Sequence, residues 1–294
     1  GPAPAAHPRA VGTGSGRAGA GRSRVLVTGG AGYIGSHTAL ALARAGHDVV
    51  VYDDLSAGHR EAVAAIERAC PGRTSLVVGD IRDADALATA LGDRRADAVM
   101  HFAAWLSVGD SVRDPAGYYR NNVGGALAVL DAMRRVGVGR LVFSSTCATY
   151  GDPVETPMTE AHPQRPVNAY GETKLAIERA LPHYARAYGL RWVALRYFNA
   201  AGADAGGLLG EDHAPEIHIV PRAIDAALGR DALQVFGQDY PTPDGTCLRD
   251  YVHVSDLAEA HVRALGHLEA GGASQAFNVG TGEATSVLDV IRAV

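Results

Sequence analysis

Short apolar runs alternate with longer amphipathic stretches along most of this chain. The apolar runs are rich in Val, Leu and Ala, which is typical of strands that are buried on both faces of a sheet. Strands are predicted at 25–28, 49–52, 76–78, 98–101, 141–144 and 192–196. Helices are predicted at 36–45, 60–70, 84–91, 117–136 and 170–188, and one more begins near Ser286.

This strand–helix alternation predicts the fold class. Successive β-α-β units with right-handed crossovers build a doubly wound parallel α/β sheet of the Rossmann type, with helices on both faces. Ligands of such sheets bind at the carboxyl ends of the strands. We therefore expect the chemistry of this chain to follow the predicted strands directly.

The first 23 residues differ from the rest because they are rich in Gly, Pro, Ala and Ser and hold almost no bulky apolar side chains. Such a segment cannot bury enough surface to offset the entropy of ordering it. Residues 1–23 are predicted to form a flexible leader. The segment lacks the apolar core of a secretory signal, while its arginines without acids leave an organelle-targeting role open.

A glycine-rich turn follows the first predicted strand. Residues 30–35 match G-x-G-x-x-G, and a helix is predicted directly after them. Glycines let backbone approach a pyrophosphate, which the free amides and the dipole of a helix N-terminus attract. The second strand ends at Asp53, roughly 20 residues further on, where a carboxylate can accept hydrogen bonds from ribose hydroxyls and repels a 2′-phosphate. The sequence therefore predicts NAD as a cofactor, rather than a plain glycine turn with a solvated aspartate.

Polar and small residues follow other strands too. Asp80 and Ile81 come after the third strand and could contact the adenine, although an N-cap role explains Asp80 nearly as well. Ala103 and Ala104 would let the backbone approach the cofactor, and close packing against a helix is the alternative.

Thr146, Tyr170 and Lys174 are the candidate catalytic residues. Tyr170 and Lys174 are four apart in a predicted helix, so their side chains share one face. A free phenol has a pKa near 10, and a nearby ammonium is expected to lower it toward the range of a useful base. Thr146 ends a predicted strand and offers a hydroxyl that can hold a substrate oxygen. Taken alone, Tyr170 and Lys174 would be interpreted as a packed aromatic residue and a solvated lysine. Because a dinucleotide motif precedes them in the chain, the catalytic interpretation is favoured.

Composition narrows the function further. The chain has 294 residues, a net charge of −5 and no dense basic run, which argues against nucleic-acid binding. No apolar stretch is long enough to span a membrane. Three widely spaced cysteines suggest neither a disulfide framework nor a zinc site, so no metal is predicted and a reduced, cytoplasmic setting is the simplest interpretation.

Long segments of the chain resemble a known family. The matching strings are VLVTGGAGYIGSHT (25–38), GDIRD (79–83), HFAA (101–104), NNVGG (121–125), FSSTCATYGDP (143–153), YGETK (170–174), LRYFNAAGA (195–203), GEDH (210–213), VFGQDYPTPDGTCLRDYVHVSDLAEAH (235–261) and FNVGTGEATSVLDV (277–290). They resemble the extended short-chain dehydrogenase/reductases, and within these the UDP-glucose 4-epimerases. The resemblance covers nearly all of 25–294.

The resemblance implies an isomerase that inverts C4 of a UDP-hexose, UDP-galactose or UDP-glucose, through a 4-keto intermediate. Tyr170 would remove the proton of the sugar 4-hydroxyl while a hydride leaves C4 for tightly held NAD. Lys174 would hold the nicotinamide ribose and tune Tyr170, and Thr146 would orient the hydroxyl. The family also implies an NAD-binding domain at 24–197, a smaller C-terminal α/β substrate domain at 198–294, and a homodimer formed through a helix pair.

Two sets of binding residues are expected from the motifs and the resemblance together. The cofactor set is Gly29, Gly32, Tyr33, Ile34, Gly35, Asp53, Asp80, Ile81, Phe102, Ala103, Ala104, Asn121, Ser144, Tyr170, Lys174 and Tyr197. The substrate set is Thr146, Asn199, His218, Ile219, Val235, Phe236, Arg249 and Tyr251.

Within the substrate set the roles differ. Asn199 would contact the nucleotide sugar, and Arg249 would pair with its diphosphate unless it forms an ion pair with Asp250 instead. Residues 235–236 and Tyr251 would line the uridine pocket. Loop packing alone is enough to explain His213 and His218.

Two departures from the family pattern affect the expectations. Leu106 stands where many such epimerases carry a lysine near the cofactor diphosphate, so one contact to NAD is expected to be missing. The chain also ends at Val294, inside a predicted helix, and we expect the C-terminal part of the substrate domain to be incomplete.

Three rival functions share this scaffold. Dehydratases of this family carry an acidic pair after the strand-end threonine, whereas Cys147 and Ala148 follow Thr146 here, which disfavours dehydration. Epimerases of UDP-xylose/UDP-arabinose or of UDP-N-acetylhexosamines stay open as alternatives. So does a non-catalytic NAD-binding relative.

Overall fold

The computed structural model describes residues 21–294. Most of the predicted leader, residues 1–20, lies outside the described residues. Its last residues contact the folded domain: Arg22 Nη2 lies 2.5 Å from Asp48 Oδ1, and the Ser23 hydroxyl donates to Glu269. The folded region therefore begins no later than Arg22.

Seven parallel strands form the main sheet, and all six predicted strands are among them. The strands of the described residues are β1 Arg24–Thr28, β2 Asp48–Asp53, β3 Thr74–Val78, β4 Ala98–His101, β5 Arg140–Thr146, β6 Arg191–Tyr197, β7 Asn199–Ala201, β8 Leu248–Arg249, β9 Tyr251–His253, β10 Gln275–Val279 and β11 Thr285–Ser286. The order across the main sheet is β10-β6-β5-β4-β1-β2-β3. The chain reverses its direction of winding between β1 and β4, and ligands bind at such a switch point.

The helices of the described residues follow the predicted pattern with some additions. They are α1 Tyr33–Arg44, α2 Arg60–Ala69, α3 Ala84–Asp93, α4 Val108–Arg113, α5 Pro115–Tyr118, α6 Gly125–Val136, α7 Ala169–Tyr188, α8 Ile219–Ala227, α9 Val254–Glu269 and α10 Val287–Ala293. The helix predicted at 117–136 is interrupted by a π-helical segment at Tyr119–Gly124, and α1 begins three residues earlier than predicted. Helices α4, α8 and α9 were not predicted.

Two hydrophobic cores cover the two faces of the sheet, as the doubly wound fold requires. Alternate strand residues point to opposite faces: Val25 and Val27 belong to one core, and Leu26 to the other. The first core packs α1, α2 and α9 against the sheet, and the second packs α3, α6 and α7. The predicted fold class is confirmed.

The last part of the chain divides between the main sheet and smaller elements. Helix α9 packs in the first core, and β10 pairs in parallel with β6 at the sheet edge. Residues 254–279 therefore lie in the layers of the main sheet, although the sequence analysis assigned them to the second domain. The remaining C-terminal elements include two small two-stranded sheets, β7 with β9 and β8 with β11.

Within residues 21–294, no helix is both long enough and apolar enough to cross a bilayer.

Candidate active site

A cavity of about 1300 Å³ opens at the carboxyl edge of the main sheet. All seven strands contribute to its wall, each with its last residue or the residue directly after it. These residues are Gly29, Asp53, Gly79, Phe102, Thr146, Tyr197 and Gly280. Pockets for one small ligand usually measure about 300–1,000 Å³, so this cavity has room for more than one.

The glycine-rich turn forms one end of the cavity and requires glycine at two positions. Gly29 has φ of 70°, and a Cβ there would lie 2.5 Å from the backbone nitrogen of Ala103. A Cβ at Gly35 would lie 2.1 Å from the carbonyl oxygen of Gly29. Gly32 is the N-cap of α1 and offers no side chain there. The first turn of α1 therefore presents backbone amides to the cavity.

Asp53 lies beside this turn at the end of β2. Its carboxylate accepts hydrogen bonds from the backbone amides of Ala31 at 3.0 Å and Leu55 at 2.9 Å. The side chain is buried, and this burial raises the pKa of Asp53 above its ordinary value, although both amides oppose the shift. Two carboxylate oxygens offer more lone pairs than two amides use, so Asp53 can still accept hydrogen bonds from a ligand in the cavity.

Most of the other predicted cofactor residues also line the cavity. These are Tyr33, Ile34, Ile81, Phe102, Ala103, Ala104, Asn121, Ser144, Tyr170, Lys174 and Tyr197, together with the turn glycines and Asp53. Asn121 lies in the π-helical segment. Its neighbour Asn122 is fully buried and bonds the backbone of Trp105 and the hydroxyl of Thr173, which fixes this segment against α7.

Asp80 does not line the cavity. Its carboxylate is paired with Arg82, with Oδ2 2.5 Å from Nη2, and its carbonyl oxygen accepts the hydroxyl of Tyr52. The guanidinium of Arg82 holds the pKa of Asp80 below its usual range. The charge expected at the adenine end is therefore already paired, and Ile81 alone reaches the cavity from this position.

Thr146, Tyr170 and Lys174 all line the cavity. Asn168 caps α7 by accepting the amide of Gly171 at 2.9 Å, so Tyr170 lies in the first turn and Lys174 one turn later. Lys174 Nζ donates to the carbonyl oxygen of Ser144 at 2.8 Å and lies 6.0 Å from the centroid of the Tyr170 ring. The shared helix face predicted from the spacing is present in the structure.

Burial controls the protonation of this group. Burial raises the pKa of Tyr170 well above its ordinary value, and the Tyr197 hydroxyl adds to this, while the Thr146 hydroxyl opposes it. Burial also lowers the pKa of Lys174 to about 7, although Glu178 acts against this shift. The lowering of the Tyr170 pKa that was expected from Lys174 is not found, because burial favours the neutral form of both groups.

The predicted substrate residues are divided between the cavity and the surface. Thr146, Asn199, His218, Ile219, Arg249 and Tyr251 line the cavity. Val235 and Phe236 do not, and Phe236 is 72% exposed on the loop that precedes β8. The long 229–247 loop places the Phe236 side chain in solvent.

Arg249 was expected to pair either with a diphosphate or with Asp250. The carboxylate of Asp250 accepts the amides of Thr281 and Gly282 and the Thr281 hydroxyl. Arg249 donates to the carbonyl oxygen of Leu248, and among residues 21–294 it forms no ion pair with Asp250 or another acid. Its guanidinium is free to bind an anion in the cavity.

The comparison with known proteins assigns the family. The sequence pattern of the NAD dependent epimerase/dehydratase family matches residues 25–280. The chain belongs to this family.

Its relatives within the family are similar over most of their length. A curated UDP-glucose 4-epimerase of Rhizobium meliloti (strain 1021) is 53% identical over 275 residues, which are 92% of this chain and 81% of the relative. The crystal structure of UDP-glucose 4-epimerase from Brucella ovis in complex with NAD is 54% identical, with a TM-score of 0.87 over 92% of this chain and 81% of that one. The UDP-glucose 4-epimerase from Bifidobacterium longum in complex with NAD+ and UDP is 39% identical, also with a TM-score of 0.87, over 92% of this chain and 82% of that one.

The residues of this family member fit a dinucleotide. Glycine at 29 and 35 lets the turn pack against the backbone of Ala103 and against itself, so that α1 begins at the cavity with backbone amides available to a pyrophosphate. Asp53 retains acceptor capacity beside this turn. Leu106, the departure noted in the sequence, lines the same cavity and is 42% exposed. The structure therefore offers a neutral side chain at this place.

Two glutamates and a histidine beside the predicted His218 were not expected at the site from the sequence. Glu211 and His213 line the cavity beside His218, and Glu216 lies with them. The spacing E-x-H-x-x-E-x-H was a usable signal, but without the structure nothing indicated that the loop turns back on itself.

Proposed function

We propose that the protein inverts C4 of a UDP-hexose in an NAD-dependent reaction, interconverting UDP-galactose and UDP-glucose through a 4-keto intermediate. The observation that carries the proposal is the meeting of Thr146, Tyr170 and Lys174 in a cavity that also holds the glycine-rich turn and Arg249. A glycine-rich turn, a guanidinium and one acid–base group thus line the same cavity.

NAD, when bound, supplies a hydride acceptor and a positively charged ring beside Tyr170. The protein groups that would hold it are the amides of the α1 turn, the carboxylate of Asp53 and the ammonium of Lys174. Lys174 is anchored by the carbonyl of Ser144 at 2.8 Å, so its remaining protons are available to ribose hydroxyls.

Tyr170 acts as the base and then as the acid at the sugar 4-hydroxyl. Its raised pKa means that the phenol is protonated until positive charge accumulates near it. The positively charged nicotinamide ring would therefore activate the group, and the phenol returns its proton when the ketone is reduced. Thr146 holds the reacting oxygen in line, because its hydroxyl lies at the end of β5 in the same wall.

Inversion requires the ketone to present its opposite face before it is reduced. A cavity of about 1300 Å³ leaves room for the hexose to turn while its diphosphate stays bound. Arg249 provides the anchor, because a guanidinium is suited to bidentate phosphate binding. Asn199, whose amide donates to the carbonyl oxygen of Asp250 at 3.2 Å, is held at the sugar end.

The remaining proposals concern the domain bounds, the oligomeric state and the cellular location. We assign residues 24–197 with 254–279 to NAD binding, and 198–253 with 280–294 to the UDP-sugar. A homodimer formed through a helix pair is supported by the exposed apolar side chains of Leu127 on α6 and Tyr188 on α7. A cytoplasmic location is supported by three cysteines that form no disulfide.

The test is turnover of UDP-galactose by the purified protein with NAD and no added reductant. We expect UDP-glucose to accumulate to equilibrium with no net NADH, and in D₂O the hydrogen at C4 stays undeuterated because it moves as a hydride. UDP-xylose and UDP-N-acetylglucosamine are run in parallel to rank the sugars. Net reduction of NAD, loss of water from the sugar, or deuterium at C4 would overturn the proposal.

A further inference from the structure

Two glutamates and two histidines converge on the loop between β7 and α8. Each of Glu211, His213, Glu216 and His218 offers one ligand atom, and these four atoms lie within 4.8 Å of one another. We call these four residues the His–Glu cluster. It plays no part in the proton transfer assigned to Tyr170, although His218 is also in the proposed substrate set.

The distances within the cluster match those of a coordination shell. His213 Nδ1 lies 3.3 Å from Glu211 Oε1 and 3.6 Å from Glu216 Oε2, and His218 Nδ1 lies 3.6 Å from Glu216 Oε1. A tetrahedral ion with bonds of about 2.1 Å separates its ligand atoms by about 3.4 Å. Three histidine–glutamate distances are therefore close to this separation, although the two that involve Glu216 reach different oxygens, and His218 contacts Glu211 more closely.

A second observation points to a ligand. His213 Nδ1 is buried and has no hydrogen-bond partner among the described residues, although two carboxylates lie within 3.6 Å of it. Leaving a buried polar nitrogen unpaired costs about 1–3 kcal/mol. When the imidazole is neutral, this nitrogen can offer its lone pair to an ion held between the two carboxylates.

We propose that the His–Glu cluster binds one divalent transition-metal ion, with Zn²⁺ the best match. Imidazole nitrogens suit Zn²⁺ and its neighbours in the first row, whereas Mg²⁺ and Ca²⁺ favour shells made of oxygen alone. Two carboxylates balance the two positive charges of the ion. Four protein ligands make a closed site of the structural kind, and the Glu211 side chain is only 7% exposed.

The position of the cluster indicates what the ion does. His218 is the N-cap of α8, and the ring of His213 lies edge-on to that of Tyr33, the first residue of α1, with centroids 6.3 Å apart. An ion here cross-links the two ends of the 211–218 loop beside the glycine-rich turn. It therefore fixes the cavity wall to which His218 and Ile219 belong, without taking part in the redox chemistry.

The experiment measures metal content and needs no turnover. Untagged full-length protein is stripped with a chelator, dialysed, titrated with ZnCl₂ by calorimetry, and analysed by mass spectrometry for zinc per chain after gel filtration. We expect one Zn²⁺ per chain, and a melting temperature about 5 °C or more higher when free zinc is a hundredfold above its Kd.

The variants His213→Ala and Glu216→Gln are expected to reduce bound zinc at least tenfold. The matched controls His183→Ala and Glu155→Gln change exposed residues outside the cluster and are expected to keep the ion. Circular dichroism checks that each variant is folded.

A second readout does not depend on the variants. Co²⁺ bound to the wild-type chain is expected to give the strong visible absorption of a tetrahedral site, and one equivalent of Zn²⁺ is expected to abolish it. Zinc content equal in His213→Ala and wild type, or a Co²⁺ spectrum identical to that of the hydrated ion, would overturn the proposal and leave the cluster as histidine–glutamate ion pairs alone.

Discussion

Arg196 Nη2 lies 2.6 Å from Glu178 Oε2, and both side chains are more than nine-tenths buried. Glu178 is on α7, one turn beyond Lys174, and the Ser145 hydroxyl donates to its other oxygen. Arg196, on β6, also donates to the hydroxyl of Tyr150 at 2.9 Å. This ion pair joins the helix that carries the acid–base group to the strands beneath it.

Breaking this pair from one side is expected to destabilise the fold. In Glu178→Leu the Arg196 guanidinium stays buried without its counter-charge, which typically costs about 3–5 kcal/mol. The double variant Glu178→Leu/Arg196→Met removes both charges, and its free energy of unfolding is expected to fall clearly less than that of Glu178→Leu. Urea unfolding measures both, and a single variant as stable as the wild type would contradict the prediction.

Replacement of the phenol tests the acid–base assignment. Tyr170→Phe is expected to lower kcat for UDP-galactose by at least about 100-fold, the usual scale for a lost general acid–base group. NAD content is expected to stay normal, since the ring and the helix are unchanged. Tyr188→Phe, which removes an exposed hydroxyl from the end of the same helix, serves as the control, and near-normal turnover in Tyr170→Phe would remove the residue from its role.

Cofactor selectivity is expected to depend on one carboxylate. Asp53→Asn loses the negative charge and part of the acceptor capacity, and charge-assisted hydrogen bonds contribute about 1.5–3 kcal/mol each. The Kd for NAD is therefore expected to rise about tenfold or more, while the Kd for NADP rises less or falls. Fluorescence titration with both cofactors measures this against Asp93→Asn, an exposed control; an unchanged ratio of the two constants would argue against the ribose contact.

Lys174 is expected to make stability depend on pH. Its pKa is about 7 in the folded protein because of burial, against about 10.4 when unfolded. Between these values the unfolded chain binds the additional proton, so this group makes stability rise as the pH rises from about 7 to about 10.4. Below about pH 7 the full cost of the buried ammonium is present.

The apolar variant Lys174→Met isolates this contribution. Its melting temperature relative to the wild type is expected to be highest below about pH 7 and to decline toward pH 10, while turnover is lost. Thermal melts across this range measure the difference between the two proteins, so other titrating groups cancel. A difference that does not change with pH would contradict the assigned shift.

The sequence was sufficient to predict those elements whose local residue pattern agrees with the overall fold. Buried parallel strands are continuous apolar runs, so β1 to β6 were predicted to within a few residues. Three site features were also predicted from sequence: the glycine turn, Asp53 and the Tyr170–Lys174 spacing. Each depends only on residues within one helical turn or one β-α-β unit.

The missed features depend on contacts between distant parts of the chain. Strand β10 has the mixed sequence of an edge strand, and only its pairing with β6 identifies it. Asp80 was placed in the site because no pattern reveals that Arg82 occupies its carboxylate. The pKa of Tyr170 is raised and not lowered because of burial, which the sequence does not give.

The late position of β10 has a consequence for synthesis on the ribosome. Tyr150 donates to Asn278 of this strand, and the amides of Asn278 bond Glu160 and Met158, so one short segment closes both the sheet edge and the 147–168 loop. Until residue 279 has left the exit tunnel, β6 is an edge strand whose backbone N–H and C=O groups are unpaired. Such an edge can pair with strands of other chains. Nascent chains that stall before this point are expected to need chaperones, whereas those released after it are not.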